Sequence, residues 1–135
     1  MPFVIDASIA ACWVLPDERD PVAERAFARV VNDSVVAPAL WWFELRNLMI
    51  VNERRGRLDV VMSTKALDLI DRLPVVIDNE ADGDLLMTLA RRRRLTVYDA
   101  AYLELALRKE IPLATLDRAL AEAARAEGAA LIESA

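Results

Sequence analysis

Four short apolar runs recur along the chain: Phe3-Val4-Ile5, Val35-Val36-Ala37, Val75-Val76-Ile77 and Pro112-Leu113-Ala114-Thr115. A segment of helical length or more separates each from the next. Short apolar runs bounded by turn residues read as buried strands. Buried strands that alternate with helices imply a parallel sheet covered by helices on both faces. The expected fold class is therefore α/β: a three-layer α/β/α sandwich with a mainly parallel central sheet. A last short strand is expected at Ala130-Leu131-Ile132.

Local punctuation places the helices. Ala7 to Leu15 is apolar at helical length and closes at Pro16-Asp17. A second helix starts at Pro21, a position in the first turn that proline favours, and runs to Val31, with Asn32-Asp33-Ser34 as a turn. Ala39 to Arg55 stops near Gly56, and Asp59 to Leu73 ends at Pro74. Ala81 to Arg93 is helical. Thr96 then caps a helix that reaches Lys109, because Thr96-Val97-Tyr98-Asp99 has the spacing of a capping box with Asp in place of Glu. A final helix spans Arg118 to Ala126, with Gly128 as its stop.

The 135 residues, 56% hydrophobic and 29% charged with only three glycines, predict a single globular domain over 1–135 with no flexible linker. The longest uncharged apolar stretch, Val35 to Phe43, includes Pro38 and falls well short of the roughly 20 residues that span a bilayer. The N-terminus has no basic leader and places Asp6 where a signal peptide stays apolar. The one cysteine, Cys12, cannot form an internal disulfide and is expected in the core of the first helix. These features predict a cytoplasmic protein with no membrane segment.

Histidine is absent, which removes Ser-His-Asp triads, the usual zinc sites and imidazole acid–base catalysis. No CxxC pair and no glycine-rich phosphate loop occurs. The reactive side chains that remain are carboxylates, hydroxyls, lysines and arginines. The net charge of −5 argues against a protein that binds nucleic acid by bulk charge alone. A nuclease remains open, because bound divalent cations add positive charge that composition omits.

In open parallel sheets, ligands bind at the carboxyl ends of the strands. Asp6 follows the first strand and Asp117 the fourth. Asp99 lies in the first turn of its helix, and Glu44 near the start of the helix after the second strand. Four acids from separate segments on one edge would repel by about 4 kcal/mol per pair at 4 Å and an effective dielectric of 20. A hard divalent cation resolves that conflict. Each acid also has a plainer reading. Asp99 suits the helix dipole, Asp117 suits an N-cap, Asp6 marks where a strand leaves the core, and Glu44 fits a solvated helix face.

The segments Val4-Ile5-Asp6-Ala7-Ser8, Phe43-Glu44-Leu45-Arg46-Asn47, Thr96-Val97-Tyr98-Asp99-Ala100-Ala101-Tyr102 and Leu113-Ala114-Thr115-Leu116-Asp117-Arg118 together resemble a PIN domain. Within that group the chain is similar to the VapC-type toxins of type II toxin–antitoxin pairs, over its whole length. The resemblance implies a metal-dependent endoribonuclease whose Asp6, Glu44, Asp99 and Asp117 are catalytic and carry Mg²⁺ or Mn²⁺. Ser8 and Thr115 match hydroxyl positions that orient a water or carboxylate, and Asn47 matches a supporting polar position one turn beyond Glu44. Many relatives carry a further acid just past the Thr-x-Asp motif, where this chain has Arg118-Ala119-Leu120. One ion is therefore expected, with a second optional. The resemblance also implies an RNA substrate, a VapB-like antitoxin and a homodimer.

Arg91-Arg92-Arg93-Arg94 is the only basic run. It reads either as cations that complement a helix C-terminus or as a phosphate contact, with Arg94 nearest the Asp99 helix. Arg46 and Arg118 lie near acids in sequence and are candidates either for substrate phosphates or for salt bridges. Trp41, Trp42 and Phe43 are adjacent helical residues, so at least one is expected to face outward and mark an interface. Among rivals, a receiver-like signalling module needs an acid pair after the first strand, and a haloacid-dehalogenase-like phosphatase needs Asp-x-Asp there. Asp6-Ala7-Ser8 supplies neither. A PIN nuclease of RNA processing, without an antitoxin, is the alternative within the nuclease reading.

Overall fold

The computed structural model describes residues 1–133. In chain order the elements are β1 (Phe3–Ile5), α1 (Ala7–Val14), α2 (Pro21–Arg29), β2 (Val35–Pro38), α3 (Leu40–Arg54), α4 (Val60–Asp71), β3 (Val75–Asp78), α5 (Gly83–Arg93), α6 (Val97–Lys109), β4 (Leu113–Ala114) and α7 (Arg118–Ala126). The strand order is β3-β2-β1-β4, and every pairing is parallel. Crossovers between parallel strands are right-handed, so the direction of each step across the sheet decides which face its helices cover. Steps from β1 to β2 to β3 run one way and put α1 to α4 on one face. The return from β3 to β4 runs the other way and puts α5 and α6 on the opposite face. Packing agrees: α6 crosses β1, β2 and β4 with α5 and α7 beside it, whereas α1 packs on β1, α2, α3 and α4. The three-layer sandwich follows from that reversal.

The core is densest where β1 meets α6. Phe3, Val4 and Ile5 are fully buried. Every residue from Ala100 to Ala106 is buried as well, as expected for a helix enclosed by the sheet and two flanking helices. Six helices begin at a side chain that accepts a first-turn N–H: Asp6, Asp20, Asp59, Asp82, Thr96 and Asp117. Only α3, which starts after Ala39, lacks such a cap among the described residues. The Thr96 cap is made as the sequence predicts, with the Asp99 N–H donating to Thr96 Oγ1 at 3.1 Å.

Three expectations are corrected. The last strand, Ala130 to Ile132, contracts to a single parallel bridge between Leu131 and Leu113. The partner β4 is itself only two residues long and offers little edge to pair with. The helix expected from Ala81 begins at Gly83, because Asp82 turns its carboxylate onto the N–H groups of Asp84 and Leu85. Cys12 is only half-buried. It faces a cleft between α1 and α2 that Trp13, Asp20 and Phe27 also line.

Candidate active site

The site grows out of the topology. β1 and β4 are parallel neighbours with Ile5 opposite Ala114, so the next residue on each, Asp6 and Thr115, emerges at the same edge. This is where the chain reverses its direction across the sheet, the crevice in which α/β folds bind ligands. Asp6 is buried (6% exposed). Its Oδ1 accepts from Ser8 Oγ at 2.6 Å and from the Ile9 N–H at 3.2 Å, and its Oδ2 accepts from Thr115 Oγ1. Thr115 Oγ1 accepts in turn from the Asp117 N–H at 3.0 Å. Ser8 Oγ accepts from the Leu116 N–H at 3.1 Å. Two hydroxyls thus lock the β4 exit loop onto the first acid, and both are where the sequence expects them.

The other acids arrive from opposite layers. Glu44 sits on α3, and its Oε1 accepts from Tyr102 Oη at 2.5 Å. Tyr102 lies three residues beyond Asp99 on α6, hence on the same helix face. Asp117 opens α7 and accepts the Leu120 N–H at 2.9 Å.

Electrostatics ties the four together. Burial is the largest influence on Asp6, Glu44 and Asp99 and raises the carboxyl pKa of each, against hydrogen bonds that lower it. The charges of the other acids push the same way: Asp117 acts on Asp6 and Asp99, and Asp99 and Asp6 act on Glu44. No arginine or lysine figures among these influences. The four acids are near enough to feel one another. Even so, among the described residues no three potential ligands close around one point.

These shifts fix the sign of the pH response. A carboxyl that binds its proton more tightly when folded withdraws stability as pH rises from its unfolded value through its folded one. Asp78 works in the opposite sense. Hydrogen bonds from Arg108 hold its pKa down to about 2, so its contribution is lost only as pH falls below the ordinary carboxylate range. The metal-free protein is expected to melt at a higher temperature near about pH 5 than at about pH 7, the window above the ordinary carboxylate pKa. Thermal unfolding in EDTA across that range checks it, and a flat or rising profile would contradict the coupling.

The remaining candidates divide. Asn47 is exposed and lines a shallow cleft of 320 Å³ together with Ala7, Ser8, Glu44, Leu48 and Val51. Among the described residues its side chain makes no hydrogen bond to the acids. Arg46 turns away from the site: its guanidinium donates to Asp71 at 3.3 Å and lies over the Trp42 ring at 3.5 Å. Arg118 is exposed beside Asp117, and Arg94 ends α5 just before Thr96. Neither makes an ion pair among the described residues. Two members of the basic run are committed to structure. Arg92 and Arg93 both bind Glu127, the C-cap of α7, at 2.8 and 2.5 Å. Of the aromatic cluster, Trp41 is buried while Trp42 and Phe43 are 44% and 67% exposed. Sequence reasoning gave Tyr102 no role. Its signal was a phenol one helical turn after Asp99, on a stretch otherwise apolar enough to be buried.

An α/β sandwich with acids from four segments near its switch point carries a candidate carboxylate site. Comparison with known proteins makes that specific. A family model described as the PIN domain matches residues 3–126. The chain is 35% identical over 130 residues to ribonuclease VapC3 of Pyrobaculum aerophilum, covering 90% of this chain and 94% of that protein. The crystal structure of PAE2754, also from Pyrobaculum aerophilum, matches with a TM-score of 0.76 at 22% identity over 99% of this chain and 91% of the other. VapBC2 from Rickettsia felis, bound to a DNA fragment from their promoter, matches at 0.66 and 14% identity over 97% of each chain. The chain belongs to the PIN-domain family, among its VapC-type members.

Proposed function

We propose that this protein is a divalent-cation-dependent endoribonuclease that hydrolyses RNA phosphodiester bonds and serves as the toxin of a toxin–antitoxin pair. The observation that carries the reading is the set of four mutually repelling carboxylates at the switch point, with no basic side chain to neutralise them. Asp6, Glu44, Asp99 and Asp117 would hold Mg²⁺ or Mn²⁺. Their donors are hard oxygens, and the charge they lack is positive, which is the chemistry these cations match. When bound, the cation activates water for attack on phosphorus and offsets the negative charge that builds on the phosphate. The protein's own contribution is orientation. Ser8 and Thr115 hold both oxygens of Asp6, and the α7 N-cap holds Asp117. Arg118 and Arg94 are the exposed cations available to substrate phosphates.

The 35% identity to a protein named ribonuclease VapC3 supports RNA as the substrate. The two-component make-up of the Rickettsia felis VapBC2 structure supports an antitoxin partner of the VapB kind. The exposed apolar side chains Trp42, Phe43, Val60 and Val61 on α3 and α4 provide surface for the antitoxin or for a second copy of the chain. Among the described residues no helix is long and apolar enough to cross a membrane.

Antitoxin-free protein incubated with total cellular RNA and Mg²⁺ or Mn²⁺ should yield discrete fragments that disappear when EDTA is added. Cleavage indifferent to EDTA would remove the cation from the reading. Intact RNA under every condition would remove the general ribonuclease.

A further inference from the structure

We propose that Tyr102 is a positioning residue for the cation site: its hydroxyl, carried on the helix of Asp99, fixes the orientation of the Glu44 carboxylate. The inference rests on the metal-carboxylate reading and deepens it.

Tyr102 is 1% exposed, among the largest fully buried side chains of the molecule. A buried phenol needs a partner for its O–H. The partner here is a carboxylate 58 positions earlier in the chain, although α6 offers many nearer groups. That hydrogen bond runs from the helix that carries Asp99 to the helix that carries Glu44. Asp99 and Tyr102 share a face of α6, so the position of Asp99 is transmitted to Glu44 through the ring. With Oε1 fixed by the phenol, the Glu44 carboxylate is held in one orientation. No other side chain donates to Glu44 among the described hydrogen bonds, whereas Asp6 has two hydroxyl donors. Outer hydrogen bonds that orient a ligating carboxylate change metal affinity by about 10- to 100-fold.

Tyr102→Phe keeps the ring and removes only the hydroxyl. Isothermal titration with Mn²⁺ should show binding weakened by about 10- to 100-fold. Near-ultraviolet circular dichroism of the metal-free variant should match the parent. A double-mutant cycle with Glu44→Gln separates positioning from packing. In the Glu44→Gln background the hydroxyl has no charged ligand to orient, so Tyr102→Phe should leave Mn²⁺ affinity nearly unchanged. Affinity within twofold of the parent in the single variant, or an equal loss in both backgrounds, overturns the proposal. If the parent itself binds no Mn²⁺, the metal reading fails and this inference with it, so the parent titration distinguishes the two failures. A second measurement spares the phenol altogether. Tyr98→Phe leaves Tyr102 as the one tyrosine of the two in the chain, and its Raman doublet should report a strong hydrogen-bond donor. A doublet typical of a solvated or accepting phenol would overturn the proposal even if Tyr102→Phe fails to fold.

Discussion

Replacing Asp99 by Asn is expected to abolish RNA cleavage while leaving the metal-free protein at least as stable as the parent at neutral pH. The two effects have separate causes. Asn matches Asp in shape but removes the negative charge, so one of the four charges proposed to hold the cation is lost. The cleavage rate should fall by more than the roughly 100-fold that loss of a single supporting hydrogen bond can cost a metal site. In the metal-free state the same charge is a liability. Burial, then the Asp117 carboxylate, disfavours the ionised form, and Asp99 in turn raises the pKa of Glu44. The helix cap survives the change, because the donor to Thr96 Oγ1 is the Asp99 backbone N–H. Cleavage assays, together with thermal unfolding in EDTA at neutral pH, test both halves. A melting temperature well below that of the parent would mean that Asp99 serves the fold, and would weaken its assignment to the site. The expected fall in stability between mildly acid and neutral pH should also be shallower in Asp99→Asn, because one of the three acids responsible is gone.

Arg108→Met should be strongly destabilising although it lies outside the site, costing about 3 kcal/mol, the lower end of the range for breaking a buried ion pair. The guanidinium donates to Glu104 at 2.6 and 3.1 Å and to Asp78 at 2.8 and 3.3 Å. Glu104 is 1% exposed and also accepts the Asp82 N–H at the start of α5, at 3.3 Å. One cation therefore joins the end of β3, the start of α5 and the middle of α6. Its removal strands a buried carboxylate, and that uncompensated charge, rather than the lost contact, supplies most of the cost. The lower end applies because the Arg108 side chain is itself 22% exposed, so water partly replaces it. Urea unfolding measures the loss against a total of about 5–15 kcal/mol for a domain of this kind. Combining Arg108→Met with Glu104→Leu should recover a large part of it by removing the orphaned charge. A loss below about 1 kcal/mol, the scale of an exposed pair, would show the cluster to be a solvated surface bridge.

Those two regions differ in how far the amino-acid order revealed them. The places of three acids could be read because each stands at a boundary: Asp6 directly follows a buried strand, Asp117 caps α7, and Asp99 follows its capping threonine at a spacing that local geometry dictates. Thr115 and Ser8 were legible for the same reason, being one or two residues from a strand end. Asn47, one turn along α3 from Glu44, shares a cleft with Glu44 and Ser8. Arg46 was ambiguous until the helix was placed, and its partner Asp71 lies at the end of α4. The basic run shows the limit most clearly. Its place at a helix end could be read, but the partner that engages Arg92 and Arg93 is Glu127 at the end of another helix. Glu104 and Arg108 have the spacing of a helical ion pair, yet nothing local announces Asp78 as the third member. Local signals marked the positions, and contacts between distant segments decided their partners.

The pairing of β1 with β4 has a consequence for how the molecule comes into being. The bond from Thr115 to Asp6 spans 109 positions, nearly the full 135-residue chain. Closing so long a loop is entropically costly and slow unless the intervening layers are already assembled. A nascent chain that has not yet passed Asp117 lacks one acid and the hydroxyl that steadies another, however well its first layers have folded. Truncation ahead of Asp117 should therefore extinguish activity, and it also removes Leu120, Ala123 and Ala124, which α7 contributes to the core.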